Sequence, residues 1–283
     1  MYQFDDPDEK VTFESLQSQH RVISMEAGGL SQTFSALSSK FPRFVGDVKN
    51  FLTTTLNPFA PKGQLVDSRR LEKLFQEIDY VTASPLAVYV PAGFSGNWLD
   101  YTHILADGQN VLNTLQTDLL KPFETWLALM LNTPDLLADI VAPSGLARYK
   151  APDMDKLKKA FGSFYTHGTQ TESTYGKVLK RHADLPVLTR NLNEVNQHFV
   201  SINRADVIRQ VEQIVLLLNT LMENAKEDPQ TYRISGSNAR LLSDLTFHVA
   251  QEVSFYPTFG YQLEAFTKAV KDSYARLEEN LTK

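Results

Sequence analysis

The sequence predicts an all-α protein: a multi-helix bundle with an N-terminal helical arm and at most one short strand or hairpin near 86–91. Two observations predict this class. Apolar residues recur at spacings of three and four along most of the chain, which is the period of one helical face. A run of residues with good strand character occurs once, at 86–90 between Pro85 and Pro91.

The chain begins with two segments that differ in composition. Residues 1–29 carry six acidic residues against two basic residues, a net charge of −4, and are predicted to be a flexible acidic segment and a candidate propeptide. Residues 30–60 have apolar side chains at helical spacing, interrupted at Pro42, and are predicted to be a helical arm. This arm either packs on the rest of the protein as a helix pair or docks on a partner.

Residues 64–142 are predicted to form a helical subdomain. Asp67 and Ser68 can cap its first helix. The glycine-containing stretch 92–97 is predicted to be a plain turn from the strand into a long helix, which Pro122 bends or restarts. Thr133 followed by Pro134 predicts the start of a short helix that ends near Ile140.

Residues 150–283 are predicted to form a C-terminal helical bundle, because consecutive helices with short connections pack as antiparallel neighbours. The break at 142–152 is either a linker between domains or a loop within one. Helices are predicted near 153–165 and 172–183, from about Pro186, from Arg204 to about Lys226, and at 241–256 and 261–279, separated by Pro257.

Composition excludes several classes of protein. The chain has no cysteine, which excludes disulfides, iron–sulfur clusters, cysteine zinc sites and thiol catalysis. Its net charge of −5 argues against a protein whose whole surface binds nucleic acid. The start of the chain is acidic and no apolar stretch approaches the roughly 20 residues that cross a bilayer. We therefore expect no contact with a membrane and a location in the cytoplasm.

No motif predicts catalysis or a cofactor. The stretch 92–97 lacks the spacing of a phosphate-binding loop, and no serine lies in the context of a nucleophile elbow. Histidines do lie four residues from carboxylates, but the Glu-x-x-His and His-Glu-x-x-His patterns of helical metal sites are missing. The sequence therefore predicts no catalytic residue, no metal site and no cofactor. The pairs are His103 with Asp107, Glu194 with His198, and His248 with Asp244 and Glu252.

Residues 148–190 form a basic stretch inside this acidic protein. Nine basic residues stand against four acidic ones, a net charge of +5, and aromatic residues are interleaved with them. That composition suits a surface that follows a nucleic-acid backbone or binds an acidic partner. The alternative is a solvated face whose aromatic side chains lie in the core. The candidate contact residues are Lys156, Lys158, Lys159, Lys180 and Arg181.

The N-terminal region carries a resemblance to a known family. Ser24-Met25-Glu26, preceded by an acidic segment and followed by Ala27-Gly-Gly-Leu30, resembles the processing site of internal head proteins of large tailed phages, from which a prohead protease removes a propeptide. The stretch Lys40-Phe-Pro-Arg-Phe44 is similar to the helical, phenylalanine-rich segment that comes after the processing site in that family. The resemblance covers residues 10–50 and implies cleavage between Glu26 and Ala27.

Together these features predict a non-enzymatic phage virion protein that assembles with other virion proteins or with itself inside the head. Loss of residues 1–26 would remove a net charge of −4 and weaken repulsion from packaged DNA. The alternative is a cytoplasmic helical module that binds nucleic acid or a protein through the basic stretch.

Overall fold

The computed structural model describes residues 65–137, 139–161, 169–228 and 230–283. The predicted acidic segment 1–29 and arm 30–60 lie outside these residues. The all-α prediction is confirmed for the described residues, whose elements are helices apart from one two-stranded antiparallel sheet. The elements in chain order are α1 Arg69–Leu74, α2 Tyr80–Ala83, β1 Ala87–Pro91, α3 Trp98–Thr114, a π-helical turn Leu115–Leu120, α4 Lys121–Asn132, a 3₁₀ turn Pro134–Leu136, α5 Ser144–Ala147, α6 Met154–Phe161, β2 Gln170–Thr174, α7 Tyr175–Val178, a 3₁₀ turn His182–Asp184, α8 Leu185–Ser201, α9 Arg204–Glu227 and α10 Gly236–Leu281.

The described chain divides into two compact units, each assembled from segments distant in the sequence. The predicted ranges 64–142 and 150–283 each contribute to both units. The chain passes from unit 1 to unit 2 after Pro152, at the end of the break predicted at 142–152. Unit 1 contains Asn113–Pro152 and Asn203–Phe255, and unit 2 contains 65–112, Asp153–Ile202 and Tyr256–Lys283.

The sheet lies in unit 2 and confirms the strand predicted near 86–91. In its antiparallel register Ala87 lies opposite Thr174 and Pro91 opposite Gln170. The helix predicted over 172–183 is wrong, because Gln170–Thr174 is extended and its backbone pairs with β1. Helix begins only at Tyr175 and ends at Val178.

The other edge of β1 is attached to the C-terminal part of α10. The Tyr89 amide donates to the Ser273 hydroxyl at 2.7 Å, and that hydroxyl lies 3.0 Å from the Tyr89 carbonyl and 2.7 Å from the carbonyl of Ala269. The hydroxyl thus accepts from the amide of a strand residue and shares its single proton between the carbonyl of that residue and the carbonyl of Ala269.

The stretch after β1 is a strand-to-helix turn, as predicted. Gly93 has a φ of 82°, and the Phe94 amide donates to the Pro91 carbonyl at 2.9 Å, which is a β-turn that favours glycine at its third position. The Asn97 side chain then caps α3 by accepting from the Leu99 amide at 2.8 Å.

Pro122 restarts a helix, as predicted, and does so through a change in helix type. The π-helical turn Leu115–Leu120 comes directly before α4, in which Pro122 occupies the first turn. A proline there lacks an amide and crowds the carbonyl four residues earlier, and a wider turn relieves that crowding.

Two other proline predictions are wrong. Pro257 lies inside the continuous helix α10, because buried apolar residues on both sides of it, Val253 and Phe259 among them, favour the helical conformation despite a local cost. Pro134 opens only the 3₁₀ turn Pro134–Leu136 and no helix to Ile140. The Thr133 hydroxyl donates back to the Leu129 carbonyl at 2.8 Å and so does not cap the turn.

Each unit has its own apolar core. In unit 1, α4 packs against α9, whose predicted apolar stripe is buried at Val211, Ile214 and Leu218. In unit 2, α3 makes a close approach at Gly108, where an added Cβ would lie 2.6 Å from the Phe161 ring and 2.9 Å from the Phe259 ring. Among the described helices, none has the length and hydropathy to cross a membrane.

Candidate functional site

The predicted contact residues all lie in unit 2, on two different elements. Lys156, Lys158 and Lys159 belong to α6, and Lys180 and Arg181 follow α7. The first five residues of the basic stretch, 148–152, belong to unit 1, and residues 153–190 belong to unit 2.

Helix α6 presents Lys156 and Lys159 to solvent because Met154 and Phe161 are buried. The Asp153 carboxylate accepts from the Lys156 amide at 2.9 Å and caps the helix. Met154 and Phe161 are buried, whereas the side chains of Lys156 and Lys159 are exposed. The Lys158 side chain is outside the described part of the chain.

The segment after α7 holds one exposed lysine and one paired arginine. Lys180 is exposed. The Arg181 guanidinium donates to the Asp184 carboxylate at 2.7 and 3.4 Å, and this hydrogen bond raises the arginine's pKa. Asp184 is buried and neutralises part of the charge of Arg181, so Lys180 is the stronger candidate for contact with an anion.

His182 fixes this segment against α1 and α7. Its ring stacks on Phe75 with centroids 4.1 Å apart and an interplanar angle of 17°, and its Nδ1 lies 3.1 Å from the Tyr175 hydroxyl. The Tyr80 hydroxyl donates to the Leu179 carbonyl at 2.7 Å. The backbone that carries Lys180 is therefore held by aromatic packing and hydrogen bonds on both sides.

Two described aromatic residues of the basic stretch, Phe161 and Tyr175, face inward, whereas Tyr149 is half-buried. Phe161 is 2 % exposed and meets the rings of Tyr101 and Phe259 edge to face. Tyr175 is fully buried, and its deep burial raises the pKa of its hydroxyl. These rings belong to the core, as in the second of the two sequence interpretations, and cannot stack on nucleic-acid bases. Phe164 and Tyr165 lie outside the described residues.

Two of the three histidine–carboxylate pairs are solvated helix faces. His103 and Asp107 are exposed, and so are Glu194 and His198. His248 is half-buried, with its ring centroid 6.0 Å from that of Tyr149. The described residues contain no group of three or more potential metal ligands.

A buried acid in unit 1 is the strongest electrostatic feature that sequence reasoning missed. Glu252 lies on α10 and is 0 % exposed. Its Oε1 accepts a hydrogen bond of 2.6 Å from the Tyr149 hydroxyl, and its buried Oε2 has no hydrogen-bond partner. Burial raises the pKa of Glu252 to about 7, and donation from Tyr149 partly offsets this rise. Desolvation and the nearby Glu252 raise the pKa of Tyr149, which stays protonated and able to donate.

A sequence signal for Glu252 does exist. Leu245, Val249 and Tyr256 precede or follow it at helical spacings of seven, three and four, and all three are buried. A glutamate on an apolar stripe is a buried acid or an error in the predicted helical face. The acid's partner could not be found this way, because Tyr149 is distant in sequence.

The predicted cleavage residues Glu26 and Ala27 lie outside the described residues. No protein-family model, no curated protein and no solved structure matches this chain. Its function is therefore inferred from its own residues.

The arrangement can attract anions over a distance but offers little shape-specific recognition. Exposed lysines on α6 and after α7 bind phosphate or carboxylate groups through charge, with an affinity that falls as salt is added. The rings of Phe161 and Tyr175, which would distinguish single-stranded bases by stacking if they were exposed, are buried.

Proposed function

We propose that this chain is a non-enzymatic structural protein of the interior of a phage head, processed after Glu26 during maturation. The observation that carries the proposal is the separation of charge along the chain. Residues 1–29 have a net charge of −4 and residues 148–190 a net charge of +5. Removing −4 with residues 1–26 takes the chain from −5 to −1.

The described residues support this proposal through the accessibility of the positive charge. Lys156, Lys159 and Lys180 are exposed. In a compartment that fills with DNA, a chain with a net charge of −1 is repelled by the DNA less than a chain with a net charge of −5. The exposed lysines of the processed chain can then contact phosphate. Unprocessed chain would keep an acidic segment that competes for the same lysines.

The intact mass and the N-terminal sequence of the chain from its natural source test this proposal. Processing after Glu26 gives a mature chain that starts at Ala27. A particle-derived chain that still starts at Met1 contradicts it.

A second candidate, a helical module that binds nucleic acid or an acidic protein, is favoured by the exposed lysines of α6. Its test is the affinity for a short random-sequence duplex DNA, measured by fluorescence anisotropy over a series of salt concentrations. For Lys156→Ala combined with Lys159→Ala, the slope of log affinity against log salt should fall by about 2, because each lysine neutralises one phosphate.

The matched control is Lys268→Ala combined with Lys271→Ala, which removes two exposed lysines of the same unit from α10. This control should leave the slope unchanged. Equal slopes for the two double variants would show that net charge alone determines binding and would contradict a surface on α6.

A further inference from the structure

The contact between Tyr149 and Glu252 joins two parts of unit 1 that are distant in sequence. Tyr149 follows the short helix α5, whose Leu146 is buried, and its own amide donates to the Leu146 carbonyl at 3.1 Å. Its hydroxyl reaches α10 and donates to Glu252 Oε1 at 2.6 Å. Residues 143–150, hereafter the Tyr149 segment, are thus held by the buried side chain of Leu146 and by the hydrogen bond from Tyr149 to Glu252.

The hydrogen bond from Tyr149 does not satisfy the whole carboxylate when Glu252 is ionised. The Tyr149 hydroxyl donates to the Glu252 carboxyl, and none of the ion pairs formed by the described residues includes Glu252. Its Oε2 is enclosed and without a hydrogen-bond partner. A buried carboxylate with one donor is costly, whereas a protonated carboxyl leaves only a neutral hydroxyl to satisfy.

Two other titratable groups lie near this contact. His248 lies one turn earlier on α10, 6.0 Å from the Tyr149 ring between centroids. Asp118, from the π-helical turn, is exposed, and its negative charge adds to the rise in the pKa of Tyr149. Tyr149 therefore remains a neutral donor while Glu252 changes charge.

We propose that the Glu252 carboxyl is a proton-binding site whose occupancy holds the Tyr149 segment closed on α10. With the proton bound, the carboxyl is neutral and the segment covers it. When the proton passes from Glu252 to water, the remaining carboxylate gains hydration only if the segment moves away from it. Loss of the proton therefore increases the frequency with which residues 143–150 open.

Hydrogen exchange of the intact chain tests this proposal. The amides of Ala147, Arg148 and Tyr149 are hydrogen-bonded within a single helical turn, which is too short to be stable away from the rest of unit 1, so their exchange reports opening of the segment. The carboxyl's pKa is about 7 when covered and 4.5 in the ordinary solvated form. The opening equilibrium should therefore rise about thirtyfold between pH 5 and pH 7, after correction for the intrinsic pH dependence of exchange.

Three variants make the result decisive. Glu252→Gln should abolish the rise in exchange rate that exceeds the intrinsic pH dependence, because the glutamine side chain does not titrate. Glu223→Gln, which removes an exposed glutamate of α9 in the same unit, should retain it. Tyr149→Phe, in which the carboxylate loses its donor, should move the midpoint of the acceleration to higher pH.

The proposal fails if exchange in wild-type chain follows the intrinsic pH dependence alone, or if Glu252→Gln accelerates as wild-type does. If Glu252→Gln does not fold, the direction of the midpoint shift in Tyr149→Phe decides. A midpoint that stays at the wild-type pH or moves downward overturns the proposal.

Discussion

Each unit contains a buried carboxylate, and the two carboxylates have hydrogen-bond donors of different charge. In unit 2, Asp184 receives two hydrogen bonds from the guanidinium of Arg181, three residues earlier. In unit 1, Glu252 has a neutral hydroxyl as its donor and no cation in any ion pair of the described residues. The difference lies in the partner: Asp184 lies beside a cation, whereas burial raises the pKa of Glu252 with only a neutral hydroxyl to oppose the rise.

The largest expected effect of this difference is a pH-dependent stability confined to unit 1. The pKa of Glu252 is about 7 in the folded chain against an ordinary 4.5, so folded chain binds the proton more tightly. This tighter proton binding at Glu252 stabilises the folded chain by about 3 kcal/mol. The full stabilisation is present below pH 4.5 and is lost as the pH rises through 7. We expect the free energy of unfolding of wild-type chain to fall by this amount relative to that of Glu252→Gln.

The chain's two tryptophans allow each unit to be followed separately. Trp126 lies in unit 1 and Trp98 in unit 2, and both are buried. Urea unfolding of Trp98→Phe, read from Trp126 fluorescence, should show the pH dependence. Trp126→Phe, read from Trp98, is the control. A stronger pH dependence in the Trp98 signal would contradict the assignment to Glu252.

Tyr149→Phe sharpens the comparison by removing the hydrogen bond that the Glu252 carboxyl accepts from Tyr149. At pH 8 the variant should lose about 2 kcal/mol of unfolding free energy, since the ionised acid is left without a donor. At pH 5 the loss should be smaller, because the acid is protonated and a bond between neutral groups is weaker. An equal loss at both pH values would show that Tyr149 contributes through packing alone.

A steric substitution probes the packing of unit 2. Gly108→Ala places a Cβ 2.6 Å from the Phe161 ring and should cost about 1–2 kcal/mol, despite alanine's better helix propensity. Gly145→Ala in α5 of unit 1 is the control, since no atom lies within 4 Å of its Cβ. The measurement is urea unfolding of each variant. Equal stability of the two variants would disprove the close approach of α3 to Phe161.

The smallest expected effect comes from the ion pair of unit 2. Arg181→Gln should leave the urea midpoint nearly unchanged, because the arginine side chain is 75 % exposed and water replaces it as a partner for Asp184. The same variant should weaken binding to duplex DNA less than Lys180→Ala does. A large loss of stability would show that Asp184 depends on Arg181 as a buried ion pair does.

Sequence reasoning predicts those elements in which local pattern and packing agree. The stripe of α9 recurs at helical spacing from Val207 to Met222, and the helix is found at Arg204–Glu227, within one residue of the prediction. The strand at Ala87–Pro91 is recognisable by its β-branched residues between prolines. Its partner Gln170–Thr174 is not, because a polar strand has no apolar alternation and is defined by pairing with a residue some 80 positions away.

The candidate site is also predictable only in part, because contacts between residues that are distant in sequence leave no local pattern. Exposure of Lys156 and Lys180 follows from their place outside the apolar pattern. The burial of Tyr175 and the contact from Tyr149 to Glu252 depend on residues that are distant in sequence. Pro257 is expected to end a helix, but the buried residues around it keep α10 continuous, a case of tertiary packing overriding local propensity.

The double contact of Ser273 with Tyr89 has a consequence for solubility. A sheet of two strands offers two open edges, and an open edge can recruit a strand from another molecule and start aggregation. At the middle of β1 the hydroxyl occupies the amide and carbonyl that such a strand would need, at 2.7 and 3.0 Å. Ser273→Ala would free both groups, and we expect the variant to form larger species than wild-type chain in light scattering.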